Sequence, residues 1–372
     1  HGRVNTSGQT YVAYLWADNS SEDAEEQMIK CDTYTTSSSG DSGDVDLGWE
    51  PQFVLFKNAG GANNWIMLDS MRGFSGAGIT DAYLFPNSSE AEGNAAFGHL
   101  TSTGFRIINQ SNSVQYIYMA IRAPMMVEPE AATDVFAVAA RTGASGSTPT
   151  WVSGFVTDMT IQIEAALSNK TVGTRQLRGN VMYTDANNAE GGGGGKYTWD
   201  NMTGISDQAN AQAANKELMW KRAKGFFDVT TYNGSSSAGN LTVNHNLGVP
   251  PELIISKSRS NTQAWSVLFN MNASTYQYFT TISTAADYAN GRSYGLGLLA
   301  SKPTSTTYEI KTDTGIGAGQ FYIAYLFATL AGISKIGTYT GNGSSQTISC
   351  GFSAGSRFVL IKRINESGDW YM

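Results

Sequence analysis

Apolar positions along the chain gather into short runs separated by polar, glycine-rich stretches, and two of these runs recur. The first is almost continuously apolar: YVAYLWA at 11–17, YIYMAIR at 116–122, ELMWKRA at 217–223 and YIAYLFA at 322–328, with starts 105, 101 and 105 residues apart. The second is an apolar run ending in lysine: FVLFK at 53–57, LIISK at 253–257 and FVLIK at 358–362, with a diverged copy, MTIQI, at 159–163. In the three clear copies a tryptophan follows the lysine by eight residues, as Lys57 to Trp65, Lys257 to Trp265 and Lys362 to Trp370. Runs of this length, rich in β-branched and aromatic residues and bounded by Gly, Asn and Asp, predict strands. Their return at a fixed period predicts a tandem array.

The pattern predicts an all-β chain of antiparallel β-sandwich modules of about 100 residues, set end to end as a rod. Residues 1–30 are the end of a preceding module plus an acidic linker. Module A spans 31–132, the diverged module B 133–224 and module C 225–334, while 335–372 carry the opening strands of a module D. In module A the region 69–98, with Gly73, Gly76, Gly78, Pro86 and Gly93, reads as a surface excursion. In module B the five glycines 191–195 read as a loop tip. They make no phosphate cradle, because no Gly-Lys-Ser/Thr follows. Asn342-Gly343 is a two-residue hairpin signal. A propeller-like ring is the competing architecture, but modules near 100 residues are about twice the length of ordinary blades. The chain opens on a closing run and stops just after a Lys-to-Trp hairpin. It is therefore expected to be a segment of a longer array, continuing with something like Asp-Ser-x-Arg-Gly.

Composition narrows the function classes. Gly 41, Tyr 18, Phe 16 and Trp 8, with charged residues at only 15%, suit turn-rich aromatic strands. A net charge of -7 without a basic block argues against nucleic acid, whose affinity rests on clustered cations releasing counterions. The longest apolar run, 321–333, is shorter than the roughly 20 residues of a membrane helix, so no membrane insertion is expected. Cys31 and Cys350 stand at non-equivalent positions and read as reduced thiols, and structural zinc fails for want of four ligands in any module.

Four groups of residues raise chemical questions. Trp65, Trp265 and Trp370 are candidate sugar-stacking platforms, and a row of them would add avidity. Against that, residues repeated in register with buried strands usually fill a core. Asp41, Asp44 and Asp46 have the close carboxylate spacing of a calcium loop but lack the EF-hand register and its terminal glutamate, so no cofactor is expected. Arg72-Gly73 and Arg178-Gly179 recur, yet Arg175 replaces Asp69 between modules, which suits a turn held by arginine hydrogen bonds better than catalysis. His1, His99 and His245 stand apart from any nucleophile motif, and His245 reads as a hydrogen-bonded turn residue. No catalytic residues are predicted.

The phrases FFDVTTYNG, NHNLGVPPELIISK, YIAYLFATLAGISKIGTYTGNGSSQTISCGF, RFVLIKR and GDWYM resemble those of tandem-repeat virion structural proteins of tailed bacteriophages, notably phages of marine bacteria and cyanobacteria. The likeness covers modules A, C and D well and module B in outline. It implies a virion-surface, tail-fibre-like appendage. It also implies assembly with other virion subunits and with its own copies, and host attachment through surface glycans. Two alternatives stand beside it: a carbohydrate-binding adhesin array on a bacterial surface, and a polysaccharide depolymerase using two close carboxylates.

Overall fold

A computed structural model gives the fold over residues 6–13, 15–18, 26–74, 80–142, 148–163, 170–191, 196–207, 215–234, 239–272, 275–279, 299–311, 319–364 and 369–372. The chain is all-β. Among the described residues the helical pieces are two 3-10 turns, Ala132–Asp134 and Arg175–Leu177. None of the described helices is long and apolar enough to cross a membrane.

One strand order is used three times. Module A builds an antiparallel sheet in the spatial order Ile29–Thr35, Gln115–Arg122, Pro51–Asn58, Ile66–Asp69. Module B repeats it as Phe136–Ala140, Lys216–Trp220, Met159–Ile163, Thr171–Thr174, with Met182–Tyr183 added at the edge. Module C repeats it as Phe227–Asn233, Phe321–Phe327, Leu253–Ser258, Ser266–Asn272, Thr275–Phe279. The closing strand is always wedged between the opening strand and the lysine strand. Ile121 pairs with Ile29 and Phe53, Trp220 with Phe136 and Met159, and Phe327 with Phe227 and Leu253. In modules B and C this central strand is covered on both faces, the setting in which a strand reads as a near-continuous apolar run.

A smaller sheet lies over each large one: Asp44–Asp46, Gly104–Ile107 and Gly98–Thr101 in module A; Trp151–Val152, Gly204–Asp207 and Tyr197–Thr198 in module B; Asn240–Asn244 and Thr307–Lys311 in module C. Alternate residues of each strand fill the space between the two layers. In module A, Val54, Phe56, Phe105 and Ala120 are fully buried there, while Phe53 and Leu55 face the other way and are half-buried. Two glycines permit the second layer to form. A Cβ on Gly104 would meet the carbonyl oxygen of Val45 at 1.9 Å, and one on Gly204 would meet that of Trp151 at 1.9 Å, so both strand pairs close only around glycine.

Three expectations need correction. YVAYLWA at 11–17 forms no strand among the described residues, where Tyr11, Val12, Leu15 and Trp16 are exposed. The region 69–98 is more than a surface excursion. It carries the strands Asp81–Tyr83 and Gly93–Ala95 and buries Phe74 and Asp81. The Asp81 carboxylate accepts hydrogen bonds from the Phe97 and Gly98 amides at 2.9 and 3.0 Å, which satisfies it in the interior. The end-to-end rod is also not what the contacts describe. The outward faces of the large sheets of modules B and C share one apolar core containing Val172, Leu218, Trp220, Val229, Ile323 and Tyr325. Module A touches both. Its Leu100 carbonyl accepts from Thr231 Oγ1 of module C at 2.8 Å, and Arg178 of module B bonds Thr80 and Asn94 of module A. Contacts between A and C, two modules apart, are those of a cluster, and the apolar outer faces of the B and C sheets drive those two modules side by side.

Beyond module C, the described residues of 335–372 form one short ladder, Ile361–Lys362 with Trp370–Tyr371, and Phe358 packs on Phe136 and Trp220 of module B. Asn342-Gly343 makes its turn, with Gly343 at φ 74 and the Ser344 amide on Asn342 Oδ1 at 2.9 Å, but no ladder flanks it among the described residues. Of the glycine run 191–195, only Gly191 is within the described residues.

Candidate functional site

The most concentrated chemistry lies where modules A, B and C meet. Arg222 follows the closing strand of module B, and the turn into module C aims its guanidinium between carboxylates from the neighbouring modules. Nε bonds Asp228 Oδ1 at 2.6 Å, and Nη1 and Nη2 reach the two oxygens of Glu50 at 3.1 and 2.8 Å. The bidentate fit is the geometry for which arginine is suited. Asp158 of module B joins through the Arg222 amide at 2.7 Å and through Arg175 Nε at 3.3 Å. Asp228, with no exposed surface, is completed by the Val229 and Asn246 amides.

Burial alone would make the Arg222 guanidinium easier to deprotonate, but Asp228, Glu50 and Asp158 outweigh it and hold it well above its ordinary value. Burial pushes Glu50 up, as do Asp228 and Asp158, against the pull of Arg222. The two directions agree physically, because one cation is shared among several acids.

A second polar cluster sits inside module B. Glu217, on the closing strand, is fully buried and accepts from Gln162 Nε2 at 2.7 Å and Tyr197 OH at 3.1 Å. Thr160 Oγ1 contacts Glu217 Oε2 and also lies 3.0 Å from the Leu218 carbonyl. One hydroxyl hydrogen cannot serve both acceptors, so a protonated carboxyl donating to Thr160 completes the network. Burial raises the Glu217 carboxyl to about 7, partly offset by Thr160, Tyr197 and Lys196. Lys196 Nζ is held one shell out, on Gln162 Oε1 at 2.7 Å and Thr171 Oγ1 at 2.8 Å. The carboxyl can store a proton. Enclosed as it is, it does not present that proton to a substrate.

The residues singled out by sequence are not brought together. Trp265 is 2% exposed in the core shared by modules B and C, with Nε1 donating to the Tyr183 carbonyl of module B at 2.9 Å. A buried indole offers no face to a sugar, and that expectation is corrected. Trp65 and Trp370 are half-buried, so the three equivalent tryptophans do not fill one common hole. The backbone N–H of Trp65, not its indole, donates to Asn87 Oδ1, and Asn87 Nδ2 donates to Asn64 Oδ1, both at 2.9 Å.

At the calcium-like turn, Arg106 takes the cation's place. Its Nε is 3.0 Å from Asp41 Oδ1, which also accepts from the Gly43 amide at 2.8 Å. Asp44 Oδ1 accepts from Asn233 of module C at 2.7 Å, and Asp46 Oδ1 caps Gly48 at 2.9 Å. Among the described residues no group of three or more His, Cys, Asp or Glu side chains is placed to hold a metal ion.

The recurring lysine has a local task, donating to the carbonyl one residue on: Lys57 to Asn58 at 2.8 Å and Lys257 to Ser258 at 3.2 Å. Burial lowers Lys257 to about 8. The Asp69–Arg72 turn is held by hydrogen bonds at 2.8 and 2.6 Å. In module B the corresponding Arg178 turns away to module A. His245 Nδ1 accepts from the Leu247 amide at 3.2 Å. His99 bridges modules A and C, 2.9 Å from Asn233 Oδ1 and edge-on to Phe321, and burial with Arg259 and Arg106 nearby drops it to about 3, so it stays neutral. Sequence reading missed Arg222, Glu217 and Arg259, which pairs with Glu190 across the B–C boundary at 2.7 Å. The available signal was a charge inside an apolar repeat, as in ELMWKR.

Fold and junction define a protein of repeated two-layer β modules fixed to one another by buried ion pairs. Residues 1–124 and 134–372 match the family described as Domain of unknown function (DUF7483), and the chain belongs to that family. No curated protein matches the chain, and no solved structure does.

Proposed function

We propose that this chain is a structural component of a bacteriophage virion, part of a fibre or surface appendage that contributes to host attachment and carries no enzymatic activity. The observation that supports this reading is the reuse of one strand order in three consecutive modules whose junctions are locked by buried charges. Such a design transmits force and holds loops in fixed relation, as an appendage requires. The phage-like phrases in the sequence point the same way. Its partners are then other virion subunits and further copies of the chain, at the particle surface.

Immunogold labelling of purified phage particles with antibody raised against this chain tests the reading. Label on an appendage is expected. Particles that carry no label, with the antigen confined to host-cell debris, would overturn it.

A second reading, a carbohydrate-binding adhesin, keeps one specific support in Trp65, half-buried and joined through its backbone amide to the exposed Asn87. A glycan array probed with the native chain and with Trp65→Ala separates the two. Binding lost in a variant that still folds would favour the adhesin.

A further inference from the structure

The polar side chains around Glu217 close into a ring inside module B. Lys196 Nζ lies 2.7 Å from Gln162 Oε1 and 2.8 Å from Thr171 Oγ1. Thr171 Oγ1 is 3.5 Å from Tyr197 OH, which donates to Glu217 Oε1 at 3.1 Å. Gln162 Nε2 donates to the same Glu217 oxygen at 2.7 Å, and the ring is complete. An ammonium can only donate, so the amide turns its oxygen to Lys196 and its nitrogen to Glu217. A potential nucleophile thus stands beside the carbonyl of an amide whose leaving nitrogen faces an acid. Gln162, Thr171, Tyr197 and Glu217 are buried, which keeps competing water from the amide.

The strand order does not require this ring. The facing positions held by Gln162 and Glu217 carry Phe56 and Tyr118 in module A, and Ser256 and Ala324 in module C. Both modules form the same sheet without a buried carboxyl there, a group that is costly to desolvate.

From this arrangement we infer that module B carries a self-formed cross-link, an isopeptide bond between Lys196 Nζ and Gln162 Cδ, with Glu217 as the proton-transferring residue. Lys196, half-buried, loses a proton to solvent and attacks Cδ as the free amine. The Nζ–Cδ bond forms and the carbonyl electrons move onto Gln162 Oε1. The surplus proton on Nζ passes through Thr171 and Tyr197 to Glu217 Oε1, and Glu217 hands a proton to Gln162 Nε2. The carbonyl re-forms, the Cδ–Nε2 bond breaks, ammonia leaves and Glu217 ends as it began. An amine and an amide give a new amide and ammonia, so nothing else is needed. Burial holds the Glu217 carboxyl at about 7, where it both gives and takes a proton readily. The reaction is a single event within the chain and calls for no outside substrate. Its product ties the large-sheet strand Met159–Ile163 to the residue preceding Tyr197–Thr198, a small-sheet strand of only 2 residues. The inference stands whether or not the chain is a virion part.

Tryptic digestion of the folded native chain, followed by tandem mass spectrometry, tests it. Linked Lys196 no longer directs cleavage, so residues 142–170 should appear joined to 179–216, one ammonia lighter than the two peptides together. Lys196→Arg should release 142–170, 179–196 and 197–216 separately. Glu217→Gln, with unchanged far-ultraviolet circular dichroism, should also lose the joined species. Should that variant fail to fold, Tyr197→Phe, which opens the ring by one hydroxyl, takes its place with the same expected loss. The native digest decides the linkage without any variant: separate peptides alone would overturn the inference. A joined species of undiminished yield in folded Glu217→Gln would overturn the part given to Glu217.

Discussion

Nη2 of Arg222, in module B, lies 2.8 Å from a carboxylate oxygen of Glu50, 172 residues earlier in module A, while its Nε holds Asp228 of module C. One side chain thereby fixes three modules. Replacing it leaves buried acids without their cation, which typically costs about 3–5 kcal/mol. Arg222→Met is therefore expected to lower stability by that order in a denaturant titration. A loss within experimental error of zero would show that the junction is held by apolar contact alone.

Trp265 anchors the apolar boundary between modules B and C. Truncating a buried aromatic of this size removes about 3–5 kcal/mol. Trp265→Ala should show that loss in thermal or chemical unfolding, and Trp65→Ala, at a half-buried position, a clearly smaller one. Equal losses would contradict the different environments described for these two equivalent residues.

Glu217 predicts a pH dependence. Its carboxyl titrates at about 7 in the fold against an ordinary 4.5, so between those values the folded chain keeps a proton that the unfolded chain has released. Rising pH across that window favours unfolding. The contribution is whole below 4.5 and gone by about pH 7, a change on the order of 3 kcal/mol. Glu217→Gln cannot titrate, so its melting temperature should gain on that of the native chain between pH 5 and pH 8. A difference that does not move with pH would reject the buried, protonated carboxyl.

Gly104 and Gly204 predict a paired effect. An added methyl at either site meets a carbonyl oxygen of the opposing strand, which cannot swing aside as a side-chain tip would. Gly104→Ala and Gly204→Ala should each cost about 1–3 kcal/mol in unfolding experiments, as overpacked sites do. Neutral substitutions would mean that the small sheets are loosely joined.

The strands of modules A, B and C were legible because their periodicity is local, whereas the like run at 11–17 forms no strand among the described residues. MTIQI at 159–163 is a strand at those very residues, and the lysine-ended runs pair with the closing runs in modules A and C alike. The arrangement of modules was not legible. Whether Leu218 faces its own sandwich or a neighbour's depends on which sheet approaches from outside, and alternation along one strand is silent about that. The functional residues were hidden for a related reason. Arg222, Glu50, Asp158 and Asp228 are scattered over the chain and become a cluster only when three modules close around them. The tryptophan series misled in the opposite way, since equal spacing suggested equal roles while the structure gives Trp265 a neighbour that Trp65 lacks.

The core common to modules B and C bears on how the chain leaves the ribosome. When B has emerged and C has not, Leu218 and Trp220 stand bare, and nothing synthesised so far can shield them. Nascent B must wait for roughly a hundred more residues before it reaches its final state, so the natural step of biosynthesis is a doublet. A chain interrupted between the two would be sticky.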